Sequence, residues 1–220
     1  MNNKLEINDL KHIYGDGQRE VQVLKGVNAR FDCGKMYAIV GESGSGKTTL
    51  LSLVAALDHI QSGDIKYNGR SIREIGEIKF RLKYVNIVFQ AFNLIKYMTA
   101  RENVEIALDF AGHNKDEKAK AYELLERVGI GRAKADRLVQ KLSGGEQQRV
   151  AIARSMAGKV PIVVADEPTG NLDEKTEAKI LALFKALADD GKIVIIVTHS
   201  REVARLASAT VLHMKDGLLS

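Results

Sequence analysis

"MYAIVGESGSGKTTLLSLVAAL", Met36 to Leu57, runs from five apolar residues through a glycine-rich turn into a helical pattern, and its reading decides the fold. Gly41 to Thr48 fits G-x-x-x-x-G-K-[ST], a phosphate-binding loop, in the strand-then-helix setting such a loop requires. Gly41, Gly44 and Gly46 let backbone N–H groups turn inward around a β-phosphate, and the following helix N-terminus adds its dipole. Lys47 would supply a point charge between the β- and γ-phosphates, and the Thr48 hydroxyl would be a magnesium ligand. Ser43, Ser45 and Thr49 complete the expected nucleotide-binding set. A Gly/Ser linker, the bland alternative, has no reason to sit between a strand and a helix.

Working outward, "VNIVF" at Val85 to Phe89, "IVVA" at Ile162 to Ala165 and "IVIIV" at Ile193 to Val197 read as further buried strands. Continuous rather than alternating apolarity suits a parallel sheet covered on both faces. Helical patterns lie between the runs, notably "TTLLSLVAAL" and "KTEAKILALFKALADDGK", whose Gly191 is a suitable C-cap. The alternation argues an α/β core with a mainly parallel sheet. Between the second and third runs the pattern is helical only: "DEKAKAYELLERVGI" sets Ala121, Leu124, Leu125 and Val128 in one apolar stripe. An α-helical subdomain over about 91–158 is therefore expected, inserted in the core of a single domain spanning 1–220. "KLEINDLKHIY", "VNARFDCGK" and "GDIKYNG" alternate as half-buried strands do, giving an N-terminal antiparallel β subdomain.

With 220 residues, 45% hydrophobic and 28% charged, the chain can bury a full core without staples. The single Cys33 has no partner for a disulfide or a metal site, and reads as a small apolar residue in a reducing compartment. "MNNKLEINDL" lacks the basic start and apolar run of a signal peptide, and no apolar stretch approaches the roughly 18 residues of a membrane span. A cytoplasmic chain is expected, with any membrane role depending on a partner. The net charge of +5 comes from 33 basic residues scattered among 28 acidic ones. No basic block marks a nucleic-acid surface, so no nucleic-acid partner is expected.

"IVVADEP", Ile162 to Pro168, puts two carboxylates at the C-terminal end of a buried strand, where ligands bind in open α/β sheets. Asp166 would orient magnesium, directly or through a water, and Glu167 would polarise the attacking water as general base. Adjacent acids alone are usually a solvated strand end; the preceding apolar run and the phosphate loop change that reading. The nearest thing to a guanine-specific N-K-x-D is "NKDE" at Asn114 to Glu117, off-type and inside the helical stretch, which argues against a GTPase. A second glycine turn, "LSGGEQQRVAIARSMAG" at Leu142 to Gly158, opens another helix. Ser143 and Glu146 have capping-box spacing, leaving Gly144 and Gly145 where free N–H groups can face an anion; alone, such a stretch is more often just a well-capped helix.

The phosphate loop, Gln90 of "VFQ", "LSGGEQQ", "ADEP", "NLD" at Asn171 to Asp173 and His199 of "VTHS", in that order, resemble the motifs of ABC ATPases across nearly the full chain. The resemblance implies ATP and Mg2+ as cofactors, hydrolysis to ADP and phosphate, and two copies paired head to tail. The signature turn of each copy would then close on the γ-phosphate held by the other. Gln90 resembles the glutamine that senses the γ-phosphate and magnesium, His199 the switch histidine, and Asp173 the acid that communicates across the dimer. Tyr14 of "HIYGDG" fits the aromatic that stacks on adenine. His12, His59, His113 and His213 match no functional position and read as surface or packing residues.

"FNLIKYMTARENV", "ADEPTGNLD" and "LDHIQSGDI" are similar to stretches in the small cassettes of bacterial macrolide-export, lipoprotein-release and peptide-antibiotic-resistance systems. Ile60, where that group usually has proline, and Asn86, where it has glycine, depart from it outside the phosphate contacts. The resemblance implies a separate membrane permease with an extracytoplasmic domain, a peripheral position on the inner face of the membrane, and a lipophilic or peptide substrate. An actuator of a non-transporting envelope complex, resembling the cell-division member, is the alternative. Soluble nucleic-acid ATPases of the same superfamily carry coiled-coil insertions, zinc modules or tandem cassettes, none of which is present.

Overall fold

The computed structural model of the chain describes residues 3–15, 19–112, 116–158, 160–170, 172–200 and 209–220. His113 and Asn114 from the helical stretch and Asn171 of "NLD" lie outside the described residues. The chain opens with β1 (Lys4–Gly15) and β2 (Glu20–Asp32), followed by β3 (Met36–Val40), α1 (Lys47–Val54), β4 (Ser62–Tyr67) and β5 (Arg70–Ser71). Next come α2 (Ile72–Ile75), α3 (Glu77–Lys83), β6 (Val85–Val88), α4 (Ala100–Phe110), α5 (Glu117–Arg127), α6 (Arg132–Ala135) and α7 (Gly144–Met156). The remainder is β7 (Ile162–Asp166), α8 (Glu174–Asp189), β8 (Ile193–Thr198), β9 (Thr210–Lys215) and β10 (Leu218–Leu219).

Two sheets result. The alternating N-terminal segments form an antiparallel sheet in the order β2-β1-β4-β5, and the apolar runs form a second in the order β10-β9-β3-β8-β7-β6. In that second sheet β6, β7, β8, β3 and β9 are all parallel, with β10 antiparallel at one edge. The α/β class and the antiparallel N-terminal sheet are as the sequence suggests.

Period-2 geometry explains why the central runs are apolar throughout. Val163, Ala165, Val194 and Ile196 enter one core with α4, α5, α7 and α8, while Ile162, Val164, Ile193, Ile195 and Val197 enter another with α1 and the antiparallel sheet. The α5 stripe points into the first core as expected, with Ala121, Leu124, Leu125 and Val128 all buried. α4 is started by a capping box between Thr99 and Glu102, and α7 by one between Ser143 and Glu146.

Two expectations change. β6 is an edge strand with β7 as its one neighbour, so Asn86 and Ile87 stay half-buried despite the apolar run. β9 is a further strand that no continuous apolar run marks, since its apolar residues are interrupted by His213 and only Met214 of the six is buried. Among the described residues no helix is long and apolar enough to cross a membrane.

Candidate active site

The site is built where β3, β7 and β8 end on the same edge of the parallel sheet, the edge at which ligands bind in such folds. β3 runs into the loop Gly41–Gly46, and Gly46, with φ 105, caps α1. Glycine is required at both ends of the loop: a Cβ on Gly41 would stand 2.2 Å from the Met214 carbonyl oxygen, and one on Gly46 would meet the Val23 carbonyl at 3.0 Å. Gly44, with φ 79, has open space where its Cβ would be. The loop is thus packed against the protein behind and open in front.

Lys47 is buried to 8% exposure, and its Nζ donates to the carbonyls of Gly41 at 2.9 Å and Glu42 at 2.8 Å, curling back over the loop. Ser45 Oγ is buried with no hydrogen-bond partner among the described residues. A cavity of about 410 Å³ opens in front, lined among others by Gly44, Lys47, Thr48, Thr49, Glu167 and His199. A cation resting on carbonyls and an open glycine turn are what a phosphate group would complete.

Asp166, at the end of β7, stands near Thr48 and Lys47. Burial, reinforced by repulsion from Glu167, raises its pKa above the ordinary carboxylate value, against the pull of Lys47 and Thr48. Glu167 sits in a left-handed conformation, φ 45, which a residue with a side chain keeps only where its surroundings hold it. Its Oε1 lies 2.9 Å from His199 Nδ1, and Thr198 Oγ1 is 3.5 Å from its Oε2. Gln90 joins them through Gly170, whose Cβ would fall 3.5 Å from Gln90 Nε2 and 3.9 Å from Glu167 Oε2. A carboxylate and an imidazole therefore meet beside the phosphate loop, and the Gln90 amide approaches from the Gly170 side.

The remaining expected residues stand elsewhere. Ser143, Gly144 and Gly145 are absent from the cavity lining; the nearest atoms to a Cβ on Gly144 belong to Phe92, and to one on Gly145 to Thr176, Arg149 and Leu172. Asp173 caps α8 in its own chain, accepting from Thr176 N at 3.0 Å and from Thr176 Oγ1 at 2.7 Å. Tyr14 is also outside the cavity lining, its hydroxyl donating to Asp58 at 3.2 Å. Two neighbours of these residues carry no motif: Asp58, which holds Tyr14, and His213. The latter lines a neighbouring cavity of about 600 Å³ with Gly41, Ser43 and His199, because β9 pairs with β3 beside the loop.

Fold and loop define a phosphate-binding-loop nucleoside triphosphatase. The profile of the ABC transporter family matches residues 24–170. The chain belongs to the ABC transporter family, as one of its ATP-binding domains and an ATPase. It is 46% identical over 187 residues to the uncharacterized ABC transporter ATP-binding protein YclH of Bacillus subtilis, covering 84% of this chain and 83% of that one. It is 40% identical to the macrolide export ATP-binding/permease protein MacB of Chlorobium phaeobacteroides, aligning over 100% of this chain but only 34% of that longer protein. Among solved structures, the dimeric post-hydrolysis state of the ATP-binding cassette MJ0796, bound to ADP and Pi, superposes with a TM-score of 0.86 at 35% identity, covering 98% of this chain and 96% of that one.

Proposed function

We propose that residues 1–220 form one cassette, with a helical subdomain over about 91–158, that closes as a head-to-tail dimer around two MgATP and drives a separate membrane permease. One observation carries this reading: the chain has two glycine turns at helix starts, and the phosphate-loop cavity is lined by only one of them. Gly144 is exposed, with only the Phe92 ring near its open side, so the Ser143–Gly145 turn is available to a phosphate held by another copy. The MJ0796 cassette is dimeric when bound to ADP and Pi, which supports a nucleotide-bound dimer.

Within each site the Gly41–Gly46 amides and Lys47 hold the β- and γ-phosphates. Glu167 accepts the proton of the attacking water, and His199, hydrogen-bonded to it, orients it and contacts the γ-phosphate. The donor set fits magnesium. Thr48 and Asp166 offer hard oxygens on the same side of the phosphate loop, and among the described residues no cluster of three or more His, Cys, Asp or Glu forms an all-protein cage. Mg2+ typically takes one or two carboxylates and completes its shell with phosphate and water. When bound it neutralises charge on the phosphate oxygens. Tyr14 stacks on adenine, and Asp173 faces the partner copy.

The exposed segment after Gln90, with Ile95 at 40% and Tyr97 at 87% exposure, and the cavity of about 570 Å³ behind it are where a permease loop docks. The macrolide-export and pyoverdine-export relatives are named as joined ATP-binding/permease proteins, which supports a membrane partner, an inner-face location and export or extraction of a lipophilic or peptide substrate.

Glu167→Gln tests the shared site. It keeps shape and hydrogen bonding but removes the proton acceptor, so ATP binds and stays. By light scattering the variant is expected to be a monomer alone, a dimer with ATP and a monomer with ADP. Adding Ser143→Arg should abolish the dimer while ATP still binds each loop. A double variant that dimerises as well as the single one would reduce the second turn to a capped helix.

A further inference from the structure

Between Gln90 and α4 the backbone is tied down by two side chains from two different helices. Arg154, near the end of α7, donates from Nη1 to the Asn93 carbonyl at 2.6 Å and from Nη2 to the Phe92 carbonyl at 3.1 Å. Asn103, on α4 and only 1% exposed, accepts from Ile95 N at 2.8 Å and donates to the Ile95 carbonyl at 3.2 Å and the Thr99 carbonyl at 3.0 Å. The two residues that Arg154 holds are both left-handed, φ 58 at Phe92 and φ 48 at Asn93. For a bulky residue such as Phe92 that conformation persists only where surrounding contacts over-determine it.

Arg154 is itself an unusual holder. It is half-buried, and no carboxylate pairs with it among the described residues, so the guanidinium faces peptide carbonyls alone. A desolvated cation without a counter-ion is unfavourable. The planar fork matches two adjacent carbonyls in a way that a lysine cannot. Meanwhile the Phe92 ring reaches the other end of the same helix, where its Cζ lies 3.9 Å from the position of a Cβ on Gly144. One residue therefore touches both the end and the start of α7, two places beyond Gln90 in the chain.

We infer that Arg154 is a positioning residue for ATP hydrolysis: its fork holds the left-handed Phe92–Asn93 turn against α7, so that Gln90 and the Ser143–Gly145 turn keep one fixed relation. This rests on the proposed roles of Gln90 beside the phosphates and of the glycine turn across the dimer. A permease loop that presses on the segment would shift both groups together. Asn103 anchors the far end at Ile95 and Thr99, and the exposed Tyr97 lies between those two points.

The test uses the full chain with MgATP. The chain has no tryptophan, so Tyr97→Trp places a single fluorophore on the segment. In that background Arg154→Lys, which keeps the charge and loses the fork, is expected to lower kcat on the order of tenfold. ATP affinity should stay within about twofold of the parent, since the phosphate loop is untouched. Emission anisotropy of the introduced tryptophan should fall as the segment loosens. Arg154→Met keeps the stem and removes both hydrogen bonds; it should give the same pattern, so poor folding of one variant leaves the other to decide.

Gln90→Ala separates the two levels of the reading. Combined with Arg154→Lys it should be no slower than Gln90→Ala alone, because Arg154 acts through Gln90. Losses that multiply, or a kcat that falls only with the folded fraction, would make Arg154 an ordinary structural residue and overturn the inference. A normal kcat in Arg154→Lys beside an impaired Gln90→Ala overturns the inference alone. A normal kcat in Gln90→Ala removes the role of Gln90, and the inference with it.

Discussion

Asp166 carries a charge that the folded chain would be more stable without. Its pKa is raised first by burial and then by Glu167, so the native state binds its proton more tightly than the unfolded chain does. The resulting penalty is absent below the ordinary carboxylate pKa, grows as pH rises toward the raised value, and is full above it. Asp166→Asn should therefore raise Tm by a few degrees at pH 7 and by progressively less toward pH 4, while abolishing magnesium-dependent turnover. Parallel melting curves of parent and variant across that pH range check it; a Tm gain that persists undiminished at low pH would contradict the cause. Tyr14 poses a different question, since its hydroxyl is tied to Asp58 and its ring meets His12 edge-on at 4.5 Å. If adenine uses the free face of the ring, Tyr14→Ala should weaken ATP binding by about 1 kcal/mol and Tyr14→Phe hardly at all. Titration with a fluorescent ATP analogue separates the two.

At the level of elements, the start of α7 shows how a glycine can be retained for packing. Exposed, Gly145→Ala would gain about 1 kcal/mol of helix propensity. Here the added Cβ would stand 2.7 Å from Thr176 Cγ2, the first turn of α8. The substitution is expected to destabilise the fold by about 1–3 kcal/mol, the range for overpacking. Thr176→Ser removes that methyl while keeping the hydroxyl that donates to Asp173, so the double variant should recover most of the loss. Urea unfolding of the single and double variants measures the coupling. Spacing shows the capping box of Ser143 and Glu146, because its partners are three residues apart; it cannot show Thr176, which arrives from another helix.

Across the whole molecule, the parallel sheet is the shared wall of two cores. Leu124 belongs to the core on the helical side, and Ile65 to the core beneath the antiparallel sheet, yet strands β7 and β8 contribute alternate residues to both. Leu124→Ala and Ile65→Ala should each cost about 2–5 kcal/mol and displace one common unfolding transition. Separate transitions in calorimetry, one moved by each variant, would mean that the two sides fold independently.

The phosphate loop, the apolar strands and the helix caps were legible in the sequence because each depends on neighbours within a few residues: a glycine turn must follow its strand, and a buried strand must be apolar at every position. Contiguous chemistry leaves a contiguous mark. Other features came only with the tertiary structure. Glu167 meets His199 because β7 and β8 pair in a particular register, and Gln90 reaches Gly170 because β6 lies beside β7. β9 beside the phosphate loop, the hold of Arg154 on Phe92 and Asn93, and the contact of Gly145 with Thr176 likewise join residues far apart in the chain. Parallel strands are joined by crossovers rather than by tight turns, so no local signal sets which strand ends converge; packing of the two cores against one sheet decides it.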